Sequence, residues 1–501
     1  MLVIPLDRNV KMRRKSTRRR CSRPLILAAF VVALAAGAGD AGPVRASQPV
    51  RKPQTGPGTE KRFPPLKVPK GFRATLFACD PLVEYPSVIA LGPKPGTLFV
   101  AHDYMTGLGT AIVRRDEVRL LRDAEGDGYA DTSTVYAGGF NSIQGLAYHD
   151  GSVFVMHAPY LTALKDTDGD GVADLRRDIV KGLGLPPEKN PNRLHSANGV
   201  VAGHDGWLYL AVGDRGCDVK RPEGDRLLFQ QGGILRCRPD GSDLHVFAGG
   251  LRNIYDVALD AELNVFVRDN ENDGGDYMIR VCRSFFGADH GYPYLYAERP
   301  DEALRPLADL GRGSSAGGTA YLEAAFPKPY RQSLFFCEWG RAVVRYRLSR
   351  AGSGFASPHE VDFAAAAPDD PYGLKPTDLV VDYDGSLLIA DWGDGQRPKR
   401  GRGRIYRITY TGNRTKSPPQ PHVSAKTDLR TLLKTLNTQS HHTRVVAQLE
   451  IERRGGAALP ALRRALTKRT LNPLGRLHAV WILARGGGPN ALEELFRVAE
   501  T

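Results

Sequence analysis

Six times along the chain a short apolar strand runs into a turn and returns as a second strand that ends in an aromatic or acidic residue. The copies begin at Pro86 (PSVIALGPKPGTLFVAH), Ile143 (IQGLAYHDGSVFVMH), Ala197 (ANGVVAGHDGWLYLAVGD), Ile254 (IYDVALDAELNVFVRDN), Gly317 (GGTAYLEAAFPKPYRQSLFFCEW) and Pro376 (PTDLVVDYDGSLLIADW). Starts roughly 54 to 63 residues apart mark a repeat architecture. Each copy runs apolar, turns at Asp-Gly or Pro-Gly in most cases, and runs apolar again, as a hairpin of two half-buried strands does. A third strand follows most copies (AIVRRDEV, GGILRCRP, YMIRVCR, VVRYRLS, GRIYRITY), and a fourth is visible in STVYAGG and HVFAGG. Four strands per repeat and six repeats predict an all-β six-bladed β-propeller. After GRIYRITY the sixth repeat lacks an outer strand, whereas FRATLFA, from Phe72, has no partner. Pairing the two closes the ring and removes both exposed sheet edges.

The remainder divides around this ring. Residues 1–46 read as a secretory signal: Arg13, Arg14, Lys15 and Arg18 to Arg20 precede PLILAAFVVALAAGAG and a run of small residues. Met12 fits as the start, the arginine pairs also fit twin-arginine export, and an uncleaved membrane anchor is the other alternative. A linker (47–66), the propeller (67–411), a second Pro-containing linker (412–426) and a helical region (427–501) follow. The helical periods come in pairs, which predicts a short all-α HEAT or armadillo-like segment with a surface for a protein partner. The last period reaches Thr501 without a capping repeat, so the solenoid is expected to be incomplete. The net charge of +14 comes partly from the leader, and the basic loop QRPKRGRGR reads as solvated or facing an anionic ligand rather than nucleic acid. Six cysteines without a CxxC pair exclude a zinc knuckle and a CxxCH haem site. Cys237 and Cys282, on third strands, are expected to be small buried hydrophobes.

Three polar clusters carry candidate chemistry. Asp123, Glu125, Asp127 and Asp131 (DAEGDGYAD) and Asp166, Asp168, Asp170 and Asp174 (DTDGDGVAD) alternate oxygen ligands around glycines, the pattern calcium needs. Neither has the glutamate that closes an EF-hand loop, and a solvated Asp-Gly turn is the competing reading. The third is DNENDGGD, 269–276, directly after the second strand of blade four. Loops there open on the same ring face as His195, Arg252-Asn253 and Lys375, each of which precedes an inner strand. A histidine base, a fixed cation, an amide and oxygen ligands converging on the axis predict a pocket.

The segments GGLRNIYDVALDAELNVFVRDNENDGGD and RLHSANGVVAGHDGWLYLAVGDRG resemble the soluble quinoprotein glucose and sorbosone dehydrogenases. The order of parts is similar to the "membrane-bound dehydrogenase domain" proteins of planctomycetes. The resemblance implies pyrroloquinoline quinone (PQQ) and calcium as cofactors. It implies His195 as the base that takes the sugar hydroxyl proton, with Arg252 and Asn253 on the quinone oxygens. It also implies backbone around Asp273 and Gly274 at the calcium, and Lys375 and Arg341 against the cofactor carboxylates. Phe140 and Thr377 stand where the family has a glutamine and a basic residue. The leading expectation is therefore an exported PQQ-dependent dehydrogenase acting on a sugar or polyol and passing electrons to an acceptor such as a cytochrome. A non-catalytic, calcium-stabilised propeller binding carbohydrate or protein is the alternative. A propeller lactonase is a third.

Overall fold

The computed structural model describes residues 50–51, 63–104, 116–185, 188–190, 194–221, 224–393, 402–412, 423–488 and 491–499, all within one compact unit. The leader, most of both linkers, residues 111–115 of AIVRRDEV and residues 396–401 of the basic loop lie outside the described residues. No helix among the described residues is long and apolar enough to cross a membrane.

Six antiparallel four-stranded sheets form the blades. Their inner strands are Pro86–Leu91, Ile143–His149, Ala197–Ala202, Ala258–Leu259, Ser315–Ala320 and Pro376–Val381. Blades one and three each carry a fifth, two-residue strand at the outside, Val50–Arg51 and Ala288–Asp289. The ring closes as the unpaired strand requires: Phe72–Cys79 lies antiparallel beside Arg404–Tyr410, with Phe72 opposite Tyr410 and Cys79 opposite Arg404. Phe72, Leu76 and Cys79 thereby enter a core with Phe335, Phe363, Ile389 and Ile408. Blade four departs from its repeat, since its inner strand pairs over two residues only. The reason is local: the Tyr255 carbonyl accepts the Gly199 N–H of blade three at 2.8 Å, and the Val257 N–H bonds to the Asp256 carboxylate at 2.8 Å.

Inner strands pack closely around the axis, and two glycines allow it. A Cβ on Gly199 would stand 2.5 Å from the Tyr255 carbonyl oxygen, and one on Gly317 2.2 Å from Asp378 Oδ1. The five described cysteines are all buried and form no disulfide with one another, and Cys237 and Cys282 are core residues as expected. The basic loop is corrected at its end. Arg404 does not face solvent or a ligand but opens the third strand of blade six, fully buried against Asp391 and Asp370.

Five helices follow: Leu429–Thr435, His441–Arg453, Leu459–Thr467, Pro473–Gly486 and Ala491–Ala499. Asp428, Ser440 and Asn472 cap three of them by accepting the N–H of Thr431, Thr443 and Gly475, and Pro473 occupies a first-turn position where no N–H is needed. Leu432, Ala447, Ile451, Leu462, Ala479 and Leu483 form their common core. The helix His441–Arg453 also lies against the ring. Ser440 Oγ and the His442 N–H both donate to Glu323 Oε1 (3.2 and 3.0 Å), and Gln448 Nε2 donates to the His204 carbonyl (2.6 Å).

Candidate functional site

The acidic residue that ends several hairpins has a structural task. Asp269 accepts the N–H of Arg252 (2.8 Å) and of Asn253 (2.9 Å), the two residues that lead into blade four. Glu338 does the same for Ser314 in blade five, and Asp391 for Lys375 in blade six. Each carboxylate staples the end of a second strand to the start of the inner strand beside it. Asp269 also accepts the Tyr277 hydroxyl (2.6 Å) and the Asn270 N–H (2.8 Å). Burial raises its pKa while these donors oppose the rise. Asp269 is consumed by the fold, which removes it from the candidate oxygen ligands of the loop 269–276.

The staples hold the candidate side chains at one end of the channel. His195 Nδ1 lies 2.8 Å from Asp214 Oδ1, and the Tyr292 hydroxyl donates to Asp214 Oδ2 at 3.4 Å. Burial works to raise the Asp214 pKa, but the hydrogen bond from His195, its charge and that of Arg252 outweigh it, so the carboxyl sits below its usual value. An ionised Asp214 accepts a hydrogen bond from Nδ1–H, so in the neutral form of the ring Nε2 is the acceptor. His195 and Asp214 are brought this close by Gly213, where a Cβ would stand 2.5 Å from the His195 carbonyl carbon and 2.6 Å from Asn253 Oδ1. His195 has a left-handed backbone (φ 55), yet Tyr85 and Ser142 bend likewise before blades one and two. The kink therefore belongs to the blade start and not to chemistry.

Arg252 is buried, and its Nη2 donates to Asp273 Oδ2 at 2.5 Å, while its Nε has no hydrogen-bond partner. Asn253 Oδ1 accepts from Asn198 Nδ2 at 2.9 Å. Asp273 (φ 53) and Gly274 (φ 103) form a left-handed turn closed by Glu271 and Arg312. Blades three and four thus bring His195, Arg252, Asn253 and Asp273 together, with Asp214, Asn198 and Tyr292 added. Sequence reasoning assigns no role to these last three, although the Gly-Asp ending of AVGD carries a signal for Asp214, at the same end of the blade as His195.

The other expected residues are arranged differently. Lys375 stands at the same end of blade six, with Nζ 5.5 Å from the Trp339 ring centre of blade five. Arg341 is taken up by Glu360 and Asp362 on the outer strand of its own blade, so its charge is already balanced. Phe140 is buried against the His157 ring, and the Thr377 hydroxyl donates to the Pro86 carbonyl. Oxygens of Asp166, Asp168 and Asp174 lie within 4.8 Å of one another, but Asp170 turns to the Val172 N–H instead. Among the described residues Asp123, Glu125, Asp127 and Asp131 form no such group: Asp123 and Asp131 accept N–H bonds from Gly126, Gly128 and Ala124.

The residues present fit half of PQQ. The unpaired Arg252 Nε, the Asn253 amide and the oriented His195 suit a quinone edge, and Lys375 suits one carboxylate. Arg341 does not contribute a second cation. A cavity of about 310 Å³ lies at the opposite end of the channel, between the far ends of the inner strands and the helix His441–Arg453. It belongs to a different part of the molecule from the His195 cluster.

Residues 59–395 match the family described as "Domain of unknown function (DUF7133)". No curated protein matches the chain. Among solved structures it resembles a putative oxidoreductase (glucose dehydrogenase) from Thermus thermophilus. The identity is 20%, the TM-score 0.50, and the match covers 67% of this chain and 99% of that one. It also resembles the holo form of the PQQ domain of a pyranose dehydrogenase from Coprinopsis cinerea, with 16% identity, TM-score 0.50, and 69% and 97% coverage. At these identities the likeness establishes a shared six-bladed propeller fold.

Proposed function

We propose, for a chain that belongs to the DUF7133 family of domains of unknown function, that the His195 end of the ring is the active site of an exported sugar or polyol dehydrogenase. The observation that carries this reading is the Asp214–His195 pair, which fixes the imidazole tautomer and turns Nε2 into a proton acceptor. His195 Nε2 takes the proton of the substrate hydroxyl, and the ionised Asp214 stabilises the imidazolium that forms. Arg252 and Asn253 hold the electron-accepting group from one edge, and Lys375 supplies a cation across the ring. PQQ, when bound with calcium, supplies a two-electron hydride acceptor with a polarised carbonyl. The leader directs export, an acceptor such as a cytochrome receives the electrons, and the helical segment offers a surface to a protein partner.

The test is dye-linked oxidation of a panel of aldoses and polyols after loading with PQQ and calcium. His195→Ala should lower kcat by roughly 10²–10⁴-fold, the usual contribution of a general base. Asp214→Asn should lower it less, and Arg252→Ala should weaken PQQ binding measured by absorbance. Unaltered turnover in His195→Ala would end the reading. The engagement of Arg341 by Glu360 and Asp362 favours a second reading, a non-catalytic propeller that binds carbohydrate. In that case the wild type would bind sugars by calorimetry and take up no PQQ.

A further inference from the structure

The seam between the ring and the helices is built from histidines. His204, on the hairpin turn of blade three, packs its ring 4.8 Å from that of His478 and 5.5 Å from that of His441, and these two lie 5.9 Å apart. His204 and His478 are 6% and 2% exposed. Arg444 sits among them, 1% exposed, with Nε donating to His478 Nε2 at 3.1 Å. His478 Nδ1 meets Gln448 Oε1 at 2.6 Å, and His204 Nε2 has no hydrogen-bond partner. Because a guanidinium can only donate, His478 Nε2 must be an acceptor here, so this ring is neutral when docked.

Carboxylates stand around the cluster without touching its rings. Glu323 of blade five faces Arg444 and the helix start, Asp382 of blade six faces His442, and Glu452 bonds Gln448 and Arg485. Arg485 itself lies over Gly206, beside the blade-three turn. Arg453 and Arg454 are matched by Asp150 and Glu450, and His149 of blade two faces Asp150, Arg485 and Arg453. His442 turns to the ring side, with Nε2 2.8 Å from the Val381 carbonyl. The nearest fixed charge to the three rings is positive. The Arg444 guanidinium takes up His478 Nε2 at 3.1 Å and stands 3.5 Å from His441 Nδ1, so the lone pairs a metal would need face a cation instead.

We propose that this cluster is an acid-sensitive latch: protonation of His204, His441 and His478 releases the helical segment from the ring and opens the far end of the channel. A second, third and fourth positive charge beside Arg444, with no carboxylate touching the three rings, cannot be accommodated without separation. Burial, with Arg444 second, lowers His204 to about 4, and burial, with His204 and Arg444 next, lowers His478 to about 2. Burial also lowers His441, helped by His204 and Arg444. The docked state holds neutral rings, whereas the released state binds protons near the ordinary value of about 6.5. Docking is therefore complete above about pH 6.5 and weakens as pH falls below it. Each histidine contributes about tenfold per pH unit, so three give on the order of a thousandfold between about pH 7.5 and 5.5.

Hydrogen exchange on the full chain reads this directly. Amides of 441–453 and 473–486, corrected for intrinsic rate, should lose on the order of a thousandfold protection between about pH 7.5 and 5.5. Blade strands such as Leu208–Val212 should keep theirs. Because His204 Nε2 bonds to nothing, His204→Phe should preserve the ring stack, dock at about pH 7.5, and cut the loss to about a hundredfold. Should that variant fail to dock, His478→Gln provides the same reading of one proton fewer. Equal loss of protection in helices and blades, or helix protection that ignores pH, would overturn the latch.

Discussion

At the scale of single residues, the carboxylates of the hairpin ends show how a fold and a site compete for the same chemistry. In the sequence alone, the acids after the second strand of blade four read as ligands. In the structure Asp269, Glu338 and Asp391 are backbone staples, and that use leaves no pattern in a lone sequence that differs from a ligand's. Location is what can be read: His195, Arg252 and Asn253 are legible because they share a position in the repeat. Arg341 is not, because only the outer strand, distant in sequence, supplies the Glu360 and Asp362 that neutralise it. The same competition makes Arg404 a sharp test. It is held between Asp370 and Asp391 with none of the three side chains reaching solvent, and Asp391 in turn holds Lys375 at the site. Removing one partner of a buried ion pair leaves an uncompensated charge. Arg404→Met should lower unfolding free energy by about 3–5 kcal/mol in urea titration. A loss below about 1 kcal/mol would mean that water or another cation replaces it.

At the scale of elements, the closing strand is the most legible feature, because an orphan strand at the front and a missing strand at the back have one economical solution. The structure pairs Arg73 with Thr409 across that junction, both on its solvent-facing side. Directly opposed residues of an antiparallel pair have Cα atoms about 4.5–5.5 Å apart, within disulfide reach. Arg73→Cys with Thr409→Cys should therefore form a bond on oxidation. By tying the two ends of the ring it should raise stability by about 2–4 kcal/mol and slow unfolding. Failure to cross-link under mild oxidant would contradict the closure. The helices are legible as periods and caps, but their docking is not. Gln448, His441 and His478 look like ordinary helix residues until the turn carrying His204 is brought beneath them by the ring. The two Asp-Gly loops show a finer limit: they are near-copies in sequence, yet only the second gathers three carboxylates.

Across the whole molecule, titratable groups are layered along the channel, and the layers respond to pH in opposite directions. Asp116, stapled to the start of the blade-two inner strand, is raised to about 8, first by burial and then by the charge of Asp103, and further along the channel burial raises Asp378 to about 7. Asp256 is raised as well, by burial and by Asp378. The folded ring therefore keeps protons that the unfolded chain releases near about pH 4, so these groups stabilise less as pH rises and finish changing only above about 7–8. The histidine seam changes in the other sense and is complete above about 6.5. The window from about pH 6.5 to 8.5 thus isolates the carboxylates. Propeller stability in urea should fall there by about 2–3 kcal/mol, the order expected from about 1.4 kcal/mol per unit of pKa displacement. Below about pH 6.5 the helices should loosen while the blades grow firmer, so two probes on one protein should give slopes of opposite sign. Propeller stability that stays level across that window would show that the channel carboxylates are already ionised at its lower end. The channel would then carry negative charge toward the His195 end at neutral pH, and Arg252 and Lys375 would be needed to balance that charge as well as to hold a ligand.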